Sequence, residues 1–205
     1  MKIELQPSQL RAIKSYVQSS SEILSKEEKI EEIEVSTQGF TFQLNGILRA
    51  NLKLVKNSNT LVECLDTCFA ENRTDKDLLV YRVCNYREML KTLREDKYID
   101  YGYMSTSKNI GDTQKFYQDP YFEYEPAFLT ISIPKGSEVL DVDNIIDFDN
   151  NTYEGEILFK RKSLFTVKIN TELPTATLGE IMGRETILKF NFLRVIELSF
   201  DRYLE

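Results

Sequence analysis

The apolar periodicity of the chain changes after residue 77, and this change constrains the fold more than any other feature of the sequence. Before it, Leu10, Ile13 and Val17 recur at helical spacing behind Pro7, a residue type favoured in the first turn of a helix. After it, apolar residues form short continuous or alternating runs, which are typical of strands. The order of these patterns predicts an α+β domain, with helices first and a sheet later.

Residues 1–77 are predicted to contain three further helices. The Glu/Lys-rich stretch 23–33 repeats the helical pattern, and another helix is expected over 47–55. A fourth helix is expected to begin at Thr60, because Glu63 three residues later would complete a capping box. The apolar residues that this last helix would bury are Leu61, Leu65, Cys68 and Phe69.

Residues 78–205 are predicted to form the β core of the same domain, which spans residues 1–205. A short amphipathic helix, YREMLKTLRE, follows the first strand of this region. The predicted strands are DLLVYRVCN, DYGYMSTS, AFLTISIP, EVLDV, EGEILFKR, LFTVKI and ILKFNFLRVIELSF.

Composition narrows the chemistry that such a domain can perform. The 205-residue chain has a formal charge of −7, from 26 basic and 33 acidic side chains, which argues against nucleic acid as a partner. It contains no histidine, so a Cys/His zinc site and the usual general base are both excluded. Its three cysteines match no common zinc pattern and indicate a reducing compartment. We therefore expect no metal, and acid–base chemistry must fall to carboxylates, Lys, Tyr or Cys.

Neither a membrane span nor a secretory signal is expected. No apolar run is long and uncharged enough to cross a bilayer, and the opening residues, MKIELQPSQL, lack the apolar block of a signal peptide. We expect the protein to act in a cytoplasm, which for an exported protein would be that of a host cell after delivery.

Arg82 is an unusual residue within the apolar run LLVYRVC. A guanidinium is costly to bury unless it meets an anion or a cluster of acceptors. Alternatively, the strand lies at an edge of the sheet and the guanidinium reaches water. Taken alone, Arg82 fits either interpretation, and the second is the commoner one.

The tripeptide STS follows an aromatic strand. Alternation places Ser105 and Ser107 on one face of the strand and Thr106 on the other. Their hydroxyls can pair with neighbouring strands, or they can direct donors and acceptors toward a ligand and a carboxylate.

Glu154 and Glu156 open the apolar run in TYEGEIL. In a strand, their carboxylates would project from one face, about 7 Å apart. Such a pair could break a glycosidic bond, with one carboxylate stabilising an oxocarbenium-like centre and the other handling the second reactant. Alternatively, glutamates in this position mark a solvated edge strand.

The order and spacing of these three motifs resemble those of the mono-ADP-ribosyltransferase toxins and effectors of the Arg, Ser-Thr-Ser, Glu-x-Glu class. The resemblance is carried by VYRV, GYMSTSKN and YEGEILFKRKSLFTV, and it covers about residues 78–200. It implies an α+β fold in which a helical N-terminal layer precedes a mixed, two-sheet β core. It also implies NAD as a substrate, without a metal.

The resemblance assigns the cofactor-binding residues as follows. Arg82 matches the arginine that holds the phosphates of NAD, and Val83 occupies the next position, where the family often has glycine or arginine. Ser105 matches the serine that orients the catalytic glutamate and the nicotinamide-side ribose. Thr106 and Ser107 brace the strands beside it.

The same resemblance assigns the catalytic and acceptor-binding glutamates. Glu156 matches the catalytic glutamate, whose carboxylate binds a ribose hydroxyl and stabilises positive charge as nicotinamide leaves. Glu154 matches the residue that holds the acceptor, and a glutamate there is typical of arginine-directed members. The physical reason is that a carboxylate can hold and orient a cationic guanidinium.

Two loops follow from the resemblance. Residues 143–153 would recognise the target, with Phe148 or Tyr153 as the aromatic contact. Residues 108–126 would close over the nicotinamide, with Phe116 or Tyr117 stacking on it. For the first pair, local packing of the rings is the alternative interpretation.

These features predict an NAD-dependent mono-ADP-ribosyltransferase, a bacterial toxin or effector that modifies an arginine on a target protein. Slow hydrolysis of NAD would accompany this activity, and the enzyme is expected to be a monomer. Two alternatives stay open: a transferase with a non-arginine or RNA acceptor, and an inert interaction module on the same fold. The second is motivated by Val83 and by the lack of arginine in the 108–126 loop.

Overall fold

The N-terminal part of the chain is helical. The computed structural model describes residues 5–19, 40–53, 56–70, 72–113, 126–146, 155–174 and 192–205. Within them, three helices precede the sheet: α1 (Pro7–Val17), α2 (Phe40–Arg49) and α3 (Lys56–Thr67). The prediction of α1 is confirmed. Pro7 opens it, and the Gln9 side chain accepts a hydrogen bond from the Gln6 N–H at 2.8 Å.

The bounds predicted for the next two helices are wrong. The helix expected over 47–55 begins at Phe40 and ends at Arg49, because Phe40, Leu44 and Leu48 form one buried stripe at helical spacing. The helix expected to start at Thr60 begins at Lys56, so Thr60 lies inside it and is not its cap. The buried residues predicted for this region are confirmed, and residues 23–33 lie outside the described ranges.

Eight strands and two short helices follow. They are β1 (Leu78–Asn85), α4 (Tyr86–Leu90), β2 (Lys97–Asp100), β3 (Met104–Ser107), β4 (Pro126–Ile133), β5 (Leu140–Asp141), α5 (Val142–Ile145), β6 (Glu156–Phe159), β7 (Ser163–Pro174) and β8 (Phe192–Tyr203). The single strand predicted for DYGYMSTS is corrected to the end of β2 and the whole of β3. Gly102 separates them, and a Cβ there would lie 2.8 Å from the Asn45 side chain. Glycine therefore lets α2 approach the backbone at this bend.

The strands form a mixed sheet in the order β2-β7-β8-β4-β1-β3-β6-β5. The pairing of β4 with β8 is parallel, and the other described pairings are antiparallel. The predicted α+β fold with a helical part before a mixed sheet is confirmed.

The sheet divides into two sets of strands, where the sequence predicted two sheets. We call β2-β7-β8-β4-β1 the five-strand set and β3-β6-β5 the three-strand set. Among the described residues, the two sets share the single register pair Tyr81↔Ser107. The eight strands therefore form one hydrogen-bonded sheet, in which the described pairing between β1 and β3 is the shortest.

Two apolar cores hold the three-strand set in place. Leu140 and Leu158 pack with the helices in one core, whereas Ile157 and Phe159 pack with the five-strand set in a second core. Alternation along β6 thus buries this strand on both faces. In the described part of the chain, no helix is long and apolar enough to cross a membrane.

Candidate active site

The candidate site lies where the five-strand and three-strand sets meet. Arg82 lies on β1, Ser105 and Ser107 lie on β3, and Glu156 is the first residue of β6. Ser107 is paired with Glu156 across β3 and β6, and with Tyr81 across β3 and β1. The register therefore brings the three motifs, which are far apart in the sequence, to one junction.

Arg82 bridges the two sets of strands. Its side chain is partly buried, and its Nη1 donates a hydrogen bond to the carbonyl oxygen of Ser105. A guanidinium held between strands needs such acceptors, because burying it without them is costly. The edge-strand alternative does not apply, since β1 is paired with β4 on one side and with β3 on the other.

Ser105 and Glu156 share one face of the three-strand set. Ser107 and Glu156 are directly opposite each other, and Ser105 lies two residues before Ser107 on the same strand. Ser105 pairs with Leu158, which packs in the core of the helical layer. This face is therefore directed toward the helices.

The hydroxyls of Thr106 and Ser107 support the local backbone. Thr106 is buried, and its hydroxyl donates to the Ile157 carbonyl at 2.7 Å. The Ser107 hydroxyl accepts from the Asn109 N–H at 2.9 Å and donates to Asp112 at 3.1 Å. Both contacts tie the end of β3 to its neighbours.

Tyr16 of α1 lies within the electrostatic influence of both candidate charges. Its hydroxyl donates to the Tyr103 carbonyl at 3.2 Å and accepts from Asn45 at 2.7 Å. Burial raises the pKa of Tyr16; the negative charge of Glu156 adds to this rise, and the positive charge of Arg82 opposes it. The helical layer therefore lies on the side of the sheet that Ser105 and Glu156 face.

Two polar residues of α2 that were not predicted from the sequence belong to the same region. The Asn45 side chain accepts from the Tyr103 N–H at 2.8 Å, and Arg49 makes a two-pronged contact with Asp100 at 2.8 and 2.9 Å. Burial acts to lower the pKa of Arg49, but the charge and hydrogen bonds of Asp100 outweigh it and raise the pKa above its usual range. Asn45 and Arg49 are four residues apart and therefore share one face of α2. This spacing was the signal in the sequence that could have revealed them.

Gly155 shapes the entry into β6. Its φ of +61° is a left-handed conformation, and a Cβ there would lie 3.0 Å from the Asn109 side chain and 3.3 Å from Lys108. Its carbonyl accepts from the Lys108 N–H at 2.8 Å. The turn before Glu156 thus requires glycine for both its backbone angle and its close approach.

Of the remaining predicted site residues, Val83 lies within the described ranges. Val83 is 3% exposed and packs against Phe128 and Leu193. Because side chains alternate along a strand, Val83 faces away from the side of β1 that carries Arg82. The other predicted residues, which lie outside the described ranges, are Phe116, Tyr117, Phe148, Tyr153 and Glu154.

The junction combines a fixed cation with a carboxylate, and it has no histidine. A guanidinium can hold phosphate oxygens, and a carboxylate on the neighbouring strands can stabilise positive charge that develops beside them. Among the described residues, no group of three or more Cys, Asp or Glu side chains is arranged to hold a metal ion.

Comparison with known families gives a match over most of the chain. The sequence profile described as ADP-ribosyltransferase exoenzyme matches residues 1–188. This match confirms the family that the three motifs predicted. A comparison with curated proteins gives no match.

Solved structures with this fold include several bacterial toxins. The C3 exoenzyme of Clostridium limosum is 17% identical and has a TM-score of 0.62, with 98% of this chain and 88% of that chain covered. BECa, an ADP-ribosylating toxin of a C. perfringens binary enterotoxin solved with NADH, is 14% identical with a TM-score of 0.64; the match covers 97% of this chain and 44% of that chain. Exoenzyme S of Pseudomonas aeruginosa, bound to 14-3-3 protein beta and Carba-NAD, is 19% identical with a TM-score of 0.52, covering 76% and 66%.

Proposed function

Since the chain belongs to the ADP-ribosyltransferase exoenzyme family, we propose that it transfers ADP-ribose from NAD to an arginine side chain of a target protein. The observation that carries this proposal is the junction at which Arg82, Ser105 and Glu156 meet. The protein would be a bacterial toxin or effector that acts in the cytoplasm of a host cell, as a monomer.

Arg82 would hold the phosphates of NAD. It already spans β1 and β3, so little side-chain freedom would be lost when the phosphates bind. Arg49 of α2 is a second candidate cation, and 37% of its side chain is exposed. Its contact with Asp100 would fix the direction of the guanidinium while leaving part of it accessible.

Glu156 would stabilise the transition state. When the bond between the ribose C1 atom and the nicotinamide nitrogen breaks, positive charge develops on the ribose, and a carboxylate held nearby lowers the barrier. Ser105, on the same face, would orient this carboxylate and the ribose. The acceptor nitrogen then bonds to C1 and loses its proton, and water in its place yields slow NAD hydrolysis.

Glu154 would hold the acceptor. An arginine guanidinium remains charged at neutral pH, so a carboxylate is needed to hold and orient it. Phe148 and Tyr153 would contact the target protein, and Phe116 or Tyr117 would stack on the nicotinamide. Glu154 directly precedes Gly155 in the sequence and lies two positions before Glu156.

The test of this function is labelling of a host-cell lysate with radiolabelled NAD. We expect the wild-type enzyme to label a protein, and Glu156→Gln to lower labelling by about 100-fold or more, because the charge aimed at the transition state is lost. Glu197→Gln, at an exposed position of β8, is the matched control and should label like the wild type. Equal labelling by Glu156→Gln would contradict the proposed role.

The acceptor is tested on the labelled product. Neutral hydroxylamine should release the label if arginine is the acceptor, whereas label that resists hydroxylamine and disappears with nuclease would indicate a nucleic acid. Glu154→Gln should lower transfer to protein more than it lowers NAD hydrolysis. Equal losses in both reactions would contradict an acceptor-binding role.

Binding of NAD separates an enzyme from an inert module. A ligand that binds the folded state raises its thermal stability, even when the affinity is weak. We expect millimolar NAD to raise the unfolding temperature of the wild type, and Arg82→Met to reduce that rise. Absence of any shift in the wild type would favour an inert interaction module.

A further inference from the structure

Lys108 and two aspartates form an ion cluster beside the candidate site. Lys108 directly follows β3, Asp141 ends β5, and Asp143 lies in α5. The Lys108 Nζ atom lies 2.9 and 3.1 Å from the carboxylate oxygens of Asp141 and 3.9 Å from Asp143. The cluster is partly withdrawn from water, with 33%, 33% and 14% of the three side chains exposed.

The same residues contact the backbone that leads into Glu156. The Lys108 N–H donates to the Gly155 carbonyl at 2.8 Å. Burial raises the pKa of Asp143, and the Lys108 charge and the backbone N–H groups of Glu156 and Gly155 act against this rise. Lys108 therefore links the turn before Glu156, through its backbone N–H, to the aspartates of β5 and α5, through its ammonium group.

This contact matters because Glu156 is at the start of its strand. The pair Ser107↔Glu156 is the last register pair of β3 and β6 in the described residues. A residue at the end of a ladder is held less firmly than one within it. A carboxylate that must point at one atom of a substrate needs support from neighbouring groups.

We propose that Lys108 and Asp143 are positioning residues, which tie the turn before Glu156 to the β5–α5 segment and so fix the direction of the Glu156 carboxylate. The inference rests on the proposed catalytic role of Glu156. Lys108 would act through its ion pairs, which keep the β5–α5 segment and Asp143 against the turn. Lys108 would then support the geometry of the site and would not bind NAD.

An ion pair elsewhere in the sheet provides a matched control. The Lys97 Nζ atom lies 2.9 Å from Asp201 and 2.6 Å from the Thr166 hydroxyl, at the β2 end of the strand order. It joins strands as Lys108 does, but it contacts neither Gly155 nor Glu156. Lys97→Met and Lys108→Met therefore remove comparable interactions with different expected consequences for the site.

The experiment combines steady-state NAD hydrolysis with hydrogen exchange of the Gly155 and Glu156 amides. We expect Lys108→Met to lower kcat about tenfold while the KM for NAD changes less than about twofold, because a displaced carboxylate weakens the chemical step more than binding. The two amides should exchange faster. Lys108→Arg should restore both properties, and Lys97→Met should match the wild type in both.

Unchanged exchange at Gly155 and Glu156 in Lys108→Met, or a kcat no lower than that of Lys97→Met, would overturn the inference. If Lys108→Met does not fold, Asp143→Asn provides the same two measurements with a smaller change. Failure of the proposed function is recognised separately, by a wild-type enzyme that does not turn over NAD or by an active Glu156→Gln. The exchange measurement does not depend on turnover, so it tests the support of the Gly155–Glu156 backbone in either case.

Discussion

The five-strand set and the three-strand set are held together in different ways. In the five-strand set, β7 and β8 pair from Ser163 to Pro174, and β1 pairs with β4 over the whole of Leu78–Asn85. In the three-strand set, β3 and β6 pair over four residues, and β5 and β6 over two. Long backbone ladders over a buried core hold the five-strand set together. In the three-strand set the ladders are short, and side-chain contacts supplement them.

Because of this difference, we expect the stability of the fold to depend mainly on the five-strand set and the chemistry to depend mainly on the junction with the three-strand set. Leu129, Ile131 and Ile196 lie at the centre of the five-strand set and are fully buried. Ser107 ends β3 and Glu156 begins β6, where the backbone ladder of the short strands stops, and Arg82 reaches Ser105 from β1. Mutations in the two regions should therefore affect unfolding and activity in opposite proportions.

The largest expected effect on stability is that of Leu129→Ala. It removes a fully buried side chain from β4, so we expect the free energy of unfolding to fall by about 3 kcal/mol. Urea unfolding measures this loss, and activity per folded molecule should stay near the wild-type value. A loss of activity per folded molecule would show that packing within the five-strand set also affects the chemistry of the site.

A smaller stability effect with a larger activity effect is expected for Gly155→Ala. The left-handed backbone at this glycine costs an alanine about 1–2 kcal/mol, and its Cβ would press on Asn109 and Lys108. Gly136→Ala is the matched control, because Gly136 has a φ of +85° and an open environment around its Cβ position. Gly136→Ala should lose the stability that the backbone angle costs, Gly155→Ala should lose somewhat more, and Gly155→Ala alone should lose NAD turnover. Equal turnover in the two variants would contradict the importance of this turn.

The third effect is gradual and is a loss of stability at alkaline pH. Burial raises the pKa of Cys84, on β1, to about 12, and burial also raises that of Cys68, after α3, to about 12. The unfolded chain releases these protons near pH 9 while the folded chain retains them, so stability is full below pH 9 and is lost as pH rises toward 12. Each thiol contributes at most about 1.4 kcal/mol per pH unit.

Urea unfolding at pH 8 and pH 10 measures this slope. Cys84→Ala and Cys68→Ala should each flatten it, and the comparison shows whether the sheet and the helical layer contribute equally. A slope that is unchanged in both variants would contradict the assignment to buried thiols.

Much of the fold followed from local patterns. The apolar run around Arg82 predicted β1, and helical spacing behind Pro7 predicted α1. Errors arose where tertiary contacts outweigh a local signal. Thr60 and Glu63 resemble a helix start, but α3 begins at Lys56, and Gly102 breaks a strand pattern because Asn45 packs against it.

For the candidate site, the sequence predicted the motif residues but not their support. Arg82, Ser105 and Glu156 were identified because the order and spacing of their three motifs resemble those of a known family. Asn45, Arg49 and the Lys108 cluster carry no such local signal, because polar residues on a helix or after a strand are ordinary at a surface. Their partners are distant in sequence, so only the fold reveals them.

The sequence by itself determined the order of elements, the family and the chemical character of the site, because periodicity and residue type act over a few neighbouring positions. The tertiary structure decided where the five-strand and three-strand sets meet, which face Glu156 shares with Ser105, and what holds its backbone. These depend on register and on contacts between residues that lie tens of positions apart, as for Arg82 and Ser105, which are separated by 23 positions. No local pattern encodes such pairings, since their energy comes from packing that exists only in the folded chain.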